Sequence, residues 1–114
     1  MPIRIINEKI SRQELQQIAQ ESFGEFVKAV VDVEKGIMAI GGELHSDEEV
    51  VLLEQGSWQE NLWGINLYPG DISENWIEFD SVINIRPSQG NRSRGIEDSK
   101  IREKIIKIVN LLVE

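Results

Sequence analysis

The stretch Pro87-Ser88-Gln89-Gly90-Asn91-Arg92-Ser93-Arg94-Gly95, with Arg86 before it, gathers three arginines, an asparagine and two glycines just ahead of a helix start. Free amides and the helix dipole at such a start favour an anion, and arginine forks suit phosphate or carboxylate. Arg86, Asn91, Arg92 and Arg94 are therefore candidate ligands for an anionic group. The competing expectation is a structural loop whose arginines pair with Glu78, Asp80, Glu97 or Asp98.

Two further groupings carry chemistry. Glu78 and Asp80 stand two residues apart in a β-rich run, which places their backbones about 7 Å apart on one face and lets both carboxylates lean toward a shared cation or water. Asn66 and Asn84 on neighbouring strands would line the same polar cleft, the plainer alternative being a solvated sheet face. His45 lies beside Glu43 and Asp47, where it is a candidate acid, base or single metal ligand; a locally hydrogen-bonded histidine is the plainer alternative. Trp58, Trp63 and Trp76 bracket the second of two hairpins and offer rings for stacking. Trp63, in phase with Ile65 and Leu67, is assigned to the core.

Other chemistries are excluded by count and spacing. Cysteine is absent, so disulfides, thiolate zinc sites and cysteine nucleophiles are ruled out. The single histidine means that a Ser-His-Asp triad would need His45, and no Gly-x-Ser-x-Gly elbow presents a serine to it. Gly90 to Gly95 has the glycine spacing of a P-loop, but Ile96-Glu97 replaces the Lys-Ser/Thr pair. No cofactor and no resident metal are expected.

The elements that must position these residues can be read from caps and periodicity. Ser11-Arg12-Gln13-Glu14 is a capping box, with Ile10 and Leu15 as a hydrophobic staple, and Gly24 is a suitable terminator. Val30 to Ile40 reads as a hairpin turning at Gly36, and Ser46-Asp47-Glu48-Glu49 as a second capping box opening a helix over Val50 to Glu54. Leu62 to Tyr68 and Trp76 to Ile85 form a second hairpin around Pro69-Gly70-Asp71. In the latter strand Ile77, Phe79, Ser81, Ile83 and Ile85 are expected to face the core, and Glu78, Asp80, Asn84 and Arg86 the other side. A last helix runs from Asp98 or Ser99 to Val113, with an apolar stripe through Ile101, Ile105, Ile108 and Leu112. A short strand at Ile3 to Ile6 precedes the first helix. Strands that arrive in hairpins predict an α+β fold, order (β)-α-β-β-α-β-β-α, with a mainly antiparallel sheet and three helices on one face.

The 114 residues fit one domain, 1–114, with 40% apolar and 28% charged residues in globular balance. The net charge of −8 is uneven: residues 1–85 carry five basic and sixteen acidic side chains, residues 86–114 seven and four. Such polarity steers an anion to the basic end or favours pairing of subunits, unless it is neutralised within the fold. The first residues lack a signal peptide's apolar run and no segment has the length to span a bilayer, so a cytoplasmic setting is expected.

The segments Gly36 to His45, Glu60 to Leu67 and Ile83 to Gly95 resemble a family of small bacterial and archaeal proteins defined only as a domain of unknown function. The resemblance implies a prokaryotic setting and no activity. The residues themselves favour a non-enzymatic binding or interaction module, as a homo-oligomer, holding a small anion, a phosphorylated metabolite or an acidic partner through the arginine loop. The alternative is a metal-assisted hydrolase or lyase that uses Glu78, Asp80 and His45 on a phosphate-bearing substrate. Nucleic-acid binding through the basic final helix ranks last, because the rest of the surface is acidic.

Overall fold

Ser11 opens the first helix as its spacing to Glu14 predicts: its hydroxyl accepts the Glu14 amide proton at 3.0 Å. In the computed structural model of the chain, which describes residues 2–114, α1 spans Arg12–Glu21. Ile10 and Leu15 are both buried beside the cap. The Glu14 carboxylate does not return to the cap amide and pairs instead with Arg4 at 2.7 Å. Gly24, at φ 92°, takes the chain out of the helix while its amide donates to the Ala19 carbonyl.

Five strands follow the expected order around this helix. β1 (Arg4–Ile6) precedes it, and β2 (Val27–Asp32) and β3 (Ile37–Ile40) form the first hairpin. Asp32 tightens that turn by accepting the Glu34 and Lys35 amides, each at 2.9 Å. After α2 (His45–Glu54) come β4 (Leu62–Leu67), β5 (Ile77–Glu78) and α3 (Ser99–Leu112). Asp98 caps α3 by accepting the Lys100 amide at 2.9 Å. The sheet order is β1-β3-β2-β4-β5 with every pair antiparallel, so the fold is α+β. No helix of the described residues is long and apolar enough to cross a membrane.

Three expectations are corrected. First, the helices do not share one face. Leu15, Ile18 and Ala19 of α1 and Ile105, Val109 and Leu112 of α3 pack on Val27, Ala29, Val31, Met38, Ile40, Trp63, Ile65 and Leu67. Leu52 of α2 packs on the opposite face, against Val30, Ala39 and Leu62. The reason lies in the strands: Ala29-Val30-Val31 and Ile37-Met38-Ala39-Ile40 are apolar at successive positions, as strands covered on both faces must be.

Second, the last strand is two residues long, not the stretch from Trp76 to Ile85. Beyond Asp80 the chain enters a 3-10 turn over Val82–Asn84, started by the Ser81 hydroxyl, which accepts the Ile83 amide at 3.3 Å. Phase is lost there. Phe79 packs with the α1 and α3 core and Ile83 with the α2 core, while Asn84 is fully buried and Ile85 is exposed. Third, α2 starts at His45 and Ser46 caps nothing: Leu44 occupies the cap position without a side-chain bond. The acid that reaches back is Glu48, whose buried carboxyl accepts the Gly42 amide at 3.0 Å.

Candidate functional site

On the face that carries α2, register places Lys28, Asn66 and Glu78 in one row across β2, β4 and β5. The next row holds Gly64, which has no side chain and so admits two neighbours. A Cβ there would lie 2.5 Å from Ser81 Cβ and 3.2 Å from the His45 ring. His45, first residue of α2, settles over this gap and its Nε2 lies 2.8 Å from the Ile65 carbonyl. A carbonyl only accepts, so Nε2 carries the proton and Nδ1 keeps the lone pair.

A cleft of about 530 Å³ opens between the start of α2 and this row. His45 and Ser46 form one wall, Lys28, Asn66 and Glu78 the floor, and Asp80, Ser81 and Arg94 the far wall, with Phe26 and Tyr68 at one end. Arg94 grips Asp80 through Nε at 2.7 Å and Nη2 at 3.4 Å, a pairing that raises the arginine's pKa further. Glu78 Oε1 accepts from Asn66 Nδ2 at 2.8 Å and from the Tyr68 hydroxyl at 3.2 Å. Burial and then the Glu78 charge push the Tyr68 hydroxyl's pKa up. Burial holds the His45 pKa below its ordinary value; the Ile65 contact opposes this, Lys28 and Arg94 lower it further, and Asp80 raises it.

Two groups in the cleft lack partners. Lys28 Nζ sits over the Phe23 ring at 4.9 Å, and the ion pairs of the described residues, Arg4 with Glu14 and Arg94 with Asp80, leave it without a carboxylate. Asn66 is 7% exposed, and its Oδ1 is buried with no hydrogen-bond partner. An orphaned buried acceptor is uncommon and costs stability unless something fills it.

The structure thus divides the candidate residues. His45, Glu78, Asp80 and Arg94 meet in the cleft, whereas Arg86, Asn91 and Arg92 do not reach it. Arg86 lies over the Trp63 ring at 4.3 Å and donates to the carbonyls of Ile83, Gln59 and Leu62. Asn91 is buried, donates to the carbonyls of Asn84, Ser93 and Gly95, and accepts the Glu97 amide. The Arg92 and Ser93 amides are taken by the Glu97 carboxylate at 2.6 and 3.1 Å, which keeps that carboxyl's pKa below the usual range. The loop's amides therefore already hold an anion, one of its own side chains.

The reason for this inward turn is the shortness of β5. Before Asn66 the outer edge of β4 has no strand beside it, and side chains replace one. Asn84 Oδ1 accepts the Gly64 amide at 2.8 Å and its Nδ2 donates to the Gly64 carbonyl at 2.9 Å, while Arg86 serves the Leu62 carbonyl. Trp63 is buried as expected. Trp76 is buried beneath the Arg12 guanidinium at 3.9 Å, and Trp58 is 70% exposed. Lys28, Ser46 and Tyr68 were not among the candidates. Lys28 had a signal, since it is the one charged residue within the apolar run Val27 to Val31.

A family model described as Protein of unknown function (DUF5674) matches residues 4–112. The chain belongs to that family. No curated protein and no solved structure matches it. Among the described residues, no three His, Asp or Glu side chains converge as a metal would require.

Proposed function

We propose that this member of the family is a binding module for a small anionic ligand, seated in the α2 cleft. The observation that carries the reading is Lys28, a cation without a carboxylate partner that lines the same cleft as Arg94 and the start of α2. Leu44 gives α2 no side-chain cap, and while the Asp47 and Glu48 amides donate to its carbonyl, the His45 and Ser46 amides stand ready as donors with the positive end of the helix dipole behind them. Arg94 adds the N–H groups that its contact with Asp80 leaves over. The arginine-rich loop enters this reading through Arg94 alone.

The hydrolase or lyase alternative has in its favour that His45, Glu78 and Asp80 line one cleft. It lacks a cation site, because those side chains do not form a metal-holding group, and Asp80 is engaged by Arg94.

Inorganic phosphate tests the reading. Titration to tens of millimolar should shift the backbone amides of Lys28, His45, Ser46 and Asn66, and Lys28→Met should remove the shifts while the fold persists. Shifts confined to residues 90–95, or none at all, would overturn it.

A further inference from the structure

We infer that the ligand of this cleft is dipolar, an anionic group joined by a short linker to an ammonium, with the anion at Lys28 and the ammonium at Glu78. The inference rests on the anion-binding reading and adds the second charge. Its basis is the row Lys28–Asn66–Glu78, in which antiparallel register puts a cation, an amide and an anion side by side on one sheet face. Neither end is held in an ion pair: those of the described residues involve neither Lys28 nor Glu78.

Glu78 is nevertheless held in place. Asn66 Nδ2 and the Tyr68 hydroxyl both donate to its Oε1, so one carboxylate oxygen is fixed and the other is left for a donor. The free oxygen of Glu78, on the floor of the cleft, asks for a ligand with N–H donors, and an ammonium offers three. A simple anion would leave Glu78 unserved and would be repelled by the carboxylate. The span of the row, two strand spacings or about 10 Å between backbones, suits charges a few bonds apart once both side chains lean inward.

The probes are inorganic phosphate, ethanolamine and O-phosphoethanolamine, with binding followed by the amide shifts of Lys28, Asn66 and Glu78. O-phosphoethanolamine should bind about tenfold tighter than phosphate or better, as a charge-assisted contact to Glu78 requires. Glu78→Gln should reduce it to the affinity of phosphate while leaving phosphate binding undiminished. Tyr68→Phe, which frees Glu78 without removing its charge, should weaken O-phosphoethanolamine selectively and to a smaller extent. Equal affinity for phosphate and O-phosphoethanolamine in the parent, or a preference that survives Glu78→Gln, would overturn the dipolar ligand and leave anion binding standing. No shift with either phosphate compound would overturn both.

Discussion

Asn84 and Glu48 are polar, fully buried and outside the cleft, and each has a definite energetic consequence. Asn84 satisfies both backbone groups of Gly64 and a third at Arg94. Asn84→Ala would strand these inside the fold, and a loss of about 3 kcal/mol in denaturant unfolding is expected. Glu48 has one oxygen on the Gly42 amide and the other without a partner, and burial pushes its pKa from 4.5 up to about 9. The folded chain therefore keeps a proton that the unfolded chain releases. The resulting stability is full below about pH 4.5 and declines as pH rises toward about 9, at a slope of up to about 1.4 kcal/mol per pH unit. Glu48→Gln, which keeps the neutral shape, should flatten that decline and be more stable than the parent at pH 8. An unaltered pH profile would mean that Glu48 ionises in the fold.

At the scale of elements, the two predicted capping boxes have opposite fates and can be separated by mutation. Ser11→Ala removes the acceptor of the Glu14 amide and should cost about 1 kcal/mol, whereas Ser46→Ala should cost little, because Ser46 lies inside α2 and caps nothing. Equal losses in the denaturant midpoint would contradict the observed start of α2. Gly64 makes a sharper test of how α2, β4 and the Ser81 turn meet. Gly64→Ala forces a methyl into the space of Ser81 and His45, and a cost of about 1–3 kcal/mol is expected from overpacking. Displaced His45 ring resonances should accompany it.

For the whole molecule, the ligand class predicts a response to ions. Phosphate should raise the melting temperature, since whatever binds the folded state alone stabilises it. Magnesium, manganese and zinc should leave it unchanged, because no three His, Asp or Glu side chains of the described residues converge. A rise with any of these cations that Glu78→Gln combined with Asp80→Asn abolishes would revive the metal-assisted alternative. His45 adds a limit on the acid side. Its pKa is held below the ordinary 6.5, so the unfolded chain takes up a proton first and the stability His45 contributes is lost as pH falls from about 6.5.

Local features were legible in the residues alone: the order of elements, the Ser11 cap, the start of the last helix at Asp98 or Ser99, the turn at Gly36 and the apolar stripe of α3. These rest on side chains that meet backbone within a few residues, or on a periodicity that one element carries alone. The runs Ala29-Val30-Val31 and Ile37-Met38-Ala39-Ile40 carry the pattern of strands covered on both faces, but alternation in the final strand led to the expectation of helices on one face. The rest depends on contacts between residues far apart in the chain. Asn84 and Arg86 alternate in type like strand residues, yet they turn inward because β4, some twenty residues earlier, has an unpaired edge. Lys28 joins Asn66 and Glu78 only through the register of three strands, and Gly64 brings His45 to them. Arg94 leaves its neighbours Arg86 and Arg92 for the cleft because Asp80 is there to hold it. Residue types named most of the site, but their partners were set by strand pairing, and a one-dimensional pattern carries no information on which edge is left open.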